Sequence, residues 1–180
     1  GNITGGLIAQ QMGLPITKFI ASVNNNDIFP KYLHSGKYIP QKGKPTLSNA
    51  MDVGNPSNFE RIKSLFNSDL KKISNKISSV SINDENTSNT IKSIFNKYNY
   101  LADPHTAVGI KGFEKNCTKN ETGIVLSTAH PGKFADVIEP ILGNKIDIPN
   151  QLKKAMTKEI KSIIMSNDYE VFKSFLLEKN

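Results

Sequence analysis

The sequence predicts an α/β domain, part of a mainly parallel sheet flanked by helices. Two short apolar runs, Phe19–Val23 and Ile124–Leu126, each end in a cluster of small polar side chains, and a weaker strand candidate, Val80–Ile82, lies between them. Patterns of period 3.6 alternate with these runs, the order that layers helices against a sheet. At 180 residues and 37% hydrophobic composition, the chain can bury one core without disulfides or a structural metal.

Taken in chain order, Gly5–Met12 followed by Gly13-Leu14-Pro15 predicts a helix closed by a glycine and a nearby proline. Phe19–Val23 is then a buried strand, and Asn24-Asn25-Asn26-Asp27 after it favours a turn or a helix cap over continued strand. Between Lys37 and Met51 the composition turns to Gly, Pro, Lys and Thr without a period, predicting a surface excursion that closes on Thr46–Asp52. Asn55-Pro56 predicts a helix start whose apolar face is Phe59, Ile62, Leu65 and Phe66. A short helix over Asp69–Ile77 precedes the weak strand, after which Asp84 caps a helix marked by Ile91, Ile94, Phe95 and Tyr98. Asp103-Pro104 again reads as cap plus first-turn proline, opening a helix through Val108 and Phe113. After the Ile124 strand, Ser127–Lys133 turns into a helix with Phe134, Val137, Ile138 and Ile141 on one face, and a helical tail over about 150–180 follows, with helices around Leu152–Ile164 and Tyr169–Leu177.

The net charge of +7 and pI near 9.4 would admit an anionic partner, but the lysines are scattered. Lys71-Lys72 and Lys153-Lys154 fall on polar helix faces, so a solvated surface is the better reading than nucleic-acid binding. No apolar run approaches the ~18 residues that cross a bilayer, so no membrane partner is expected. The single cysteine, Cys117, points to a reducing, cytoplasmic setting. The first residues lack both a signal-peptide pattern and an initiator Met, so this end is expected to be a cut one.

Four segments combine polar side chains with loop signals: Gly1–Gly6, Asn24–Asp27, Thr46–Asp52 and Ser127–Lys133. Each has a bland alternative, respectively helix capping, turn formation, a cap from Ser48 or Asn49, and a structural histidine at a helix entry. His34, His105 and His130 form neither HExxH nor any Cys/His metal spacing, and no GxSxG, Walker loop or GxGxxG after a strand occurs. Composition and spacing therefore reach a polar pocket at strand ends and no named reaction.

In this order, GLIAQQMGLPI, Asn24-x-Asn26-Asp27-x-x-Pro30, TLSNAMDVGNPSNFER, DPHTAVG and STAHPGKF resemble the C-terminal part of threonine synthases, pyridoxal-phosphate enzymes of the tryptophan-synthase-β-like fold. TLSNAMDV and TAHP-x-KF are the most specific pieces, and TLSNAMDV argues against another enzyme of this fold such as a threonine or serine dehydratase. The resemblance implies conversion of O-phospho-L-homoserine and water to L-threonine and phosphate. It implies that Gly1 and Asn2 end the loop that grips the cofactor phosphate, and that Thr128, with Ser127 as rival, faces the pyridine nitrogen. Asn24, Asn26, Asp27, Ser48, Asn49 and Asp52 would border the cleft, with Lys133 near an anionic group. His130 and Pro131 would shape the helix entry. The family's Schiff-base lysine lies upstream in an A-F-K-D context that nothing here matches. Val171-Phe172-Lys173-Ser174 is an imitation set in an amphipathic helix. Residues 1–180 are accordingly expected to be one C-terminal portion of the catalytic large domain, inert alone. The opposing possibility is a non-catalytic binding domain of the same fold.

Overall fold

The structure is a computed structural model that describes residues 1–178. Its centre is a two-stranded parallel sheet of β1 (Phe19–Val23) and β2 (Ile77–Ser81), with Phe19 opposite Ile77 and Val23 opposite Ser81. Side chains alternate across a strand, and helices cover both faces. On one face, Ala21 and Ile77 join Leu7, Tyr32, Phe59, Ile62 and Ile73 in a core, with Phe19 packed against it. These come from α1 (Asn2–Gln11), α2 (Ile28–Ser35), α3 (Phe59–Leu65) and α4 (Leu70–Lys76). Burying an isoleucine such as Ile73 or Ile77 contributes about 1.5–3 kcal/mol.

On the other face lies α6 (Pro104–Asn116), where Gly112 lets the helix backbone approach β1; a Cβ there would overlap the Ser22 hydroxyl and crowd Val80. Behind it, Ile91 of α5 (Asp84–Tyr98), Ala107 of α6 and Ile138 of α7 (Ala135–Leu142) make a second core, flanked by Leu101, Phe134 and Ile141. This compact unit spans Gly1–Asp147. A second unit begins at Ile148 and contains α8 (Asn150–Met156) and α9 (Tyr169–Glu178).

Several element ends match their local chemistry. Helix α1 closes in a paired motif, with the Gly13 amide donating to the Gln10 carbonyl and the Leu14 amide to the Ala9 carbonyl. Asp69 and Asp103 cap α4 and α6. Other boundaries differ from expectation. Asn83, not Asp84, caps α5, because its carboxamide accepts from the Asn86 amide. Helix α3 starts after Asn58 rather than at Asn55, whose side chain instead accepts from the Tyr38 hydroxyl at 2.9 Å. The predicted helix over Leu152–Ile164 stops at Met156.

The main correction concerns Ile124–Leu126, which pairs with no strand among the described residues. It lies beside α6, with Val125 close to Gly109, while Ile124 is 88% and Leu126 58% exposed. An apolar, β-branched run becomes a strand only when a neighbour supplies the ladder, and this run lies against α6 instead of an edge of the β1–β2 pair. Conversely, β2 begins at Ile77, three residues before the expected Val80, because its serines carry no hydrophobic signal.

Candidate functional site

Parallel strands place the carboxyl ends of β1 and β2 at the same sheet edge, and the chain concentrates buried polar groups there. The Ile82 amide donates to the Val23 carbonyl at 2.8 Å, and the Ser81 hydroxyl to the Asn24 carbonyl at 2.9 Å. Asn24 is 1% exposed, so its carboxamide must be satisfied internally. Its nitrogen lies 2.7 Å from Thr46 Oγ1, 2.8 Å from Asp52 Oδ1 and 3.1 Å from Ser48 Oγ, at the centre of the excursion's closing turn. Its oxygen accepts both the backbone and the side-chain nitrogen of Asn26 at 2.9 Å. Asn26 is tied in turn to the excursion, donating to the Lys44 carbonyl at 2.9 Å and accepting from the Lys44 amide at 2.8 Å.

Asp52 closes the turn from the other end. Its two oxygens receive the Thr46 hydroxyl at 2.7 Å and the Thr46 amide at 2.9 Å. Gly54 then meets the excursion's start, with the Gln41 amide donating to the Gly54 carbonyl at 2.8 Å in a contact too close for a side chain. Within this turn, Asn49–Met51 forms a single 3₁₀ turn after Ser48, which gives it no side-chain cap.

A second cluster stands at the start of α6. Asp103 is 1% exposed, and its carboxylate accepts the His105 amide and the His105 Nδ1, both at 2.9 Å, together with the Thr106 hydroxyl. Burial pushes the Asp103 carboxyl up, but the hydrogen bonds from the His105 ring, the Thr106 hydroxyl and the His105 amide outweigh it and hold the group below the ordinary carboxylate range. The Thr106 and Ser127 hydroxyl oxygens lie 3.1 Å apart. On its far side, His105 Nε2 accepts the Ala50 amide at 3.1 Å, and its ring packs 5.0 Å from that of Phe134.

Of the residues singled out in the sequence, Asn24, Asn26, Ser48 and Asp52 meet in one network, and Asn49 stands beside them, exposed, at the head of the 3₁₀ turn. Asp27 does not join it; it sits at the start of α2 and pairs with Lys31 at 2.8 Å. Gly1 and Asn2 are exposed at the start of α1, Ser127 is linked to Thr106, and Thr128 and Lys133 are exposed. His130 caps the 3₁₀ entry Pro131–Phe134, its Nδ1 accepting the Gly132 amide at 3.0 Å. Sequence reasoning gave no site role to Thr46, Asp103, His105 or Thr106. The available signal was the run Asp103-Pro104-His105-Thr106, in which a buried cap is followed by two side chains able to donate back to it.

A family model described as threonine synthase, C-terminal, matches residues 106–176. Threonine synthase of Buchnera aphidicola subsp. Schizaphis graminum is 42% identical over 99% of this chain and 41% of its own length. The crystal structure of Escherichia coli threonine synthase superposes with a TM-score of 0.88 at 33% identity, covering 99% of this chain and 41% of that one. A pyridoxal-phosphate-bound threonine synthase from Brucella melitensis gives 0.85 at 28% identity, over 98% of this chain and 43% of that one. The chain thus spans about two-fifths of the length of these relatives. Almost the whole chain is therefore similar to threonine synthases, and residues 106–176 match the model of their C-terminal region.

Proposed function

We propose that residues 1–180 form the C-terminal portion of the large catalytic domain of a cytoplasmic threonine synthase that converts O-phospho-L-homoserine and water to L-threonine and phosphate. The observation that carries this is the match along almost the whole chain to proteins of that name. The small-molecule substrate would lie beside the Asn24–Asp52 network, whose internal hydrogen bonds fix the turn that carries the exposed Asn49.

Pyridoxal phosphate, when bound, supplies the electron sink for carbanions formed next to the substrate amine. The residues present fit it. Gly1 gives α1 no side-chain cap, and a Cβ at Gly1 or Gly5 would meet nothing within 4 Å, leaving free first-turn amides and open space for a phosphate. Thr128 is the better partner for a pyridine nitrogen than Ser127. Ser127 is engaged with the Thr106 hydroxyl at 3.1 Å, whereas the Thr128 hydroxyl is exposed and can donate to an unprotonated nitrogen. Lys133 offers an ammonium to the substrate's phosphate. The lysine that carries the cofactor lies outside these residues, so the 180-residue chain is inert alone.

Threonine formation from O-phosphohomoserine with added pyridoxal phosphate tests this, comparing the chain with the longer product of its gene. Activity in the longer protein only is the expected result. If the longer protein makes no threonine, the enzyme reading fails; turnover by the 180-residue chain alone would sink the assignment of the lysine.

A further inference from the structure

We infer that His105 is a positioning residue, a remote cap that sets the Asn49–Met51 turn against the start of α6; this rests on the threonine synthase reading for its link to substrate. Three observations converge on it. First, the turn receives no side-chain cap from Ser48, and the Ala50 amide is instead satisfied by His105 Nε2 at 3.1 Å, from a residue 55 positions away. Second, the tautomer that makes this possible is fixed. The Asp103 carboxylate can only accept, so the proton between it and His105 Nδ1 belongs to the imidazole, and Nε2 is left with the lone pair that the Ala50 amide needs. Third, the imidazole lies against Phe134, so this one side chain touches both the Thr46–Asp52 turn and the Pro131–Phe134 entry.

The turn is thereby held from two directions. The Asn24 carboxamide grips Ser48 and Asp52 from the sheet, and the Asp103–His105 pair grips Ala50 from α6. Asn49, between the two grips, is exposed, and its orientation follows from both. Loss of the α6 grip should loosen how substrate is held without altering the reacting groups, which appears as KM rather than kcat.

The test uses the longer, pyridoxal-phosphate-loaded protein with His105→Ala and His105→Gln, the glutamine oxygen being able to accept the Ala50 amide. For His105→Ala the expected result is a KM for O-phosphohomoserine raised about tenfold with kcat changed by less than about threefold, and Ala50 amide exchange accelerated about tenfold. His105→Gln should recover most of both. Unchanged Ala50 exchange in His105→Ala overturns the cap, and it does so even if the protein makes no threonine. Faster exchange with an unchanged KM overturns the positioning role, as does a glutamine variant that folds but rescues neither readout.

Discussion

Two irregular stretches of this chain, Lys44–Gly54 and Gly123–Thr128, obtain their shape by opposite means. The first carries Leu47, Ala50, Met51 and Val53, yet it is carboxamide, hydroxyl, carboxylate and imidazole groups that cross-link it to Asn24, Asn26 and His105. The second is rich in β-branched residues, yet it is held by Val125 against Gly109, Phe113 against Gly123 and one hydroxyl contact at Ser127, with its larger side chains facing water. Buried polar groups carry their partners' geometry with them, because leaving one unpaired is costly. An apolar run has no such directionality, and its conformation depends on which surface is offered to it.

The largest effect should follow from cutting the polar stretch at its centre. Asn24→Ala is expected to destabilise the 180-residue chain by about 3 kcal/mol in urea denaturation, since it strands Asp52 and Asn26 partners in a buried site. A loss under about 1 kcal/mol would mean that water replaces the carboxamide. Next comes Asp103→Ala, at about 2 kcal/mol from a lost cap and buried hydrogen bonds. Its pH dependence has a definite sign. The folded Asp103 pKa is depressed, so its contribution is complete above the unfolded value of about 4 and is lost as pH falls through the lower, folded one. Wild-type stability should therefore fall more steeply than that of the variant below about pH 4; parallel curves would argue against an ionised, bonded Asp103.

Gly112→Ala should cost about 1 kcal/mol, because overlap with Ser22 outweighs the helix propensity gained, and a stabilised variant would show that β1 yields freely. The smallest change is Ile124→Ser, expected within about 0.5 kcal/mol in this chain. Repeating it in the longer gene product sharpens the comparison, since a cost above about 1.5 kcal/mol there would mean that Ile124 is covered.

What could be read from the sequence follows the same division. Strand β1 was legible to the residue, because five apolar or small residues run directly into four turn formers. The α6 start was legible because Asp-Pro carries its own mechanism. Strand β2, written ISSVS, was found late because its inward residues, apart from Ile77, are small and its pairing partner is 58 positions away. The Ile124 run was misread because no local rule says whether a ladder partner exists. At the sheet edge, polar composition marked the segments Asn24–Asp27 and Thr46–Asp52, but it did not tell that Asn24, Asn26, Ser48 and Asp52 bond one another while Asp27 pairs with Lys31 one helical turn away. His105 escaped notice because its importance lies in a contact with a backbone amide, which leaves no side-chain partner in the sequence to detect.

The reach of these edge contacts also dictates when they can form. The hydrogen bonds from Asn24 to the excursion span 22 to 28 residues, and that from Ala50 to His105 spans 55. Each must close a loop before it returns any energy, whereas α5, α6 and the αL cap at Asn99 between them form from neighbours. The polar edge should consequently be assembled after the rate-limiting step of refolding, so that Asn24 and Asp52 substitutions speed unfolding and leave the folding rate nearly untouched.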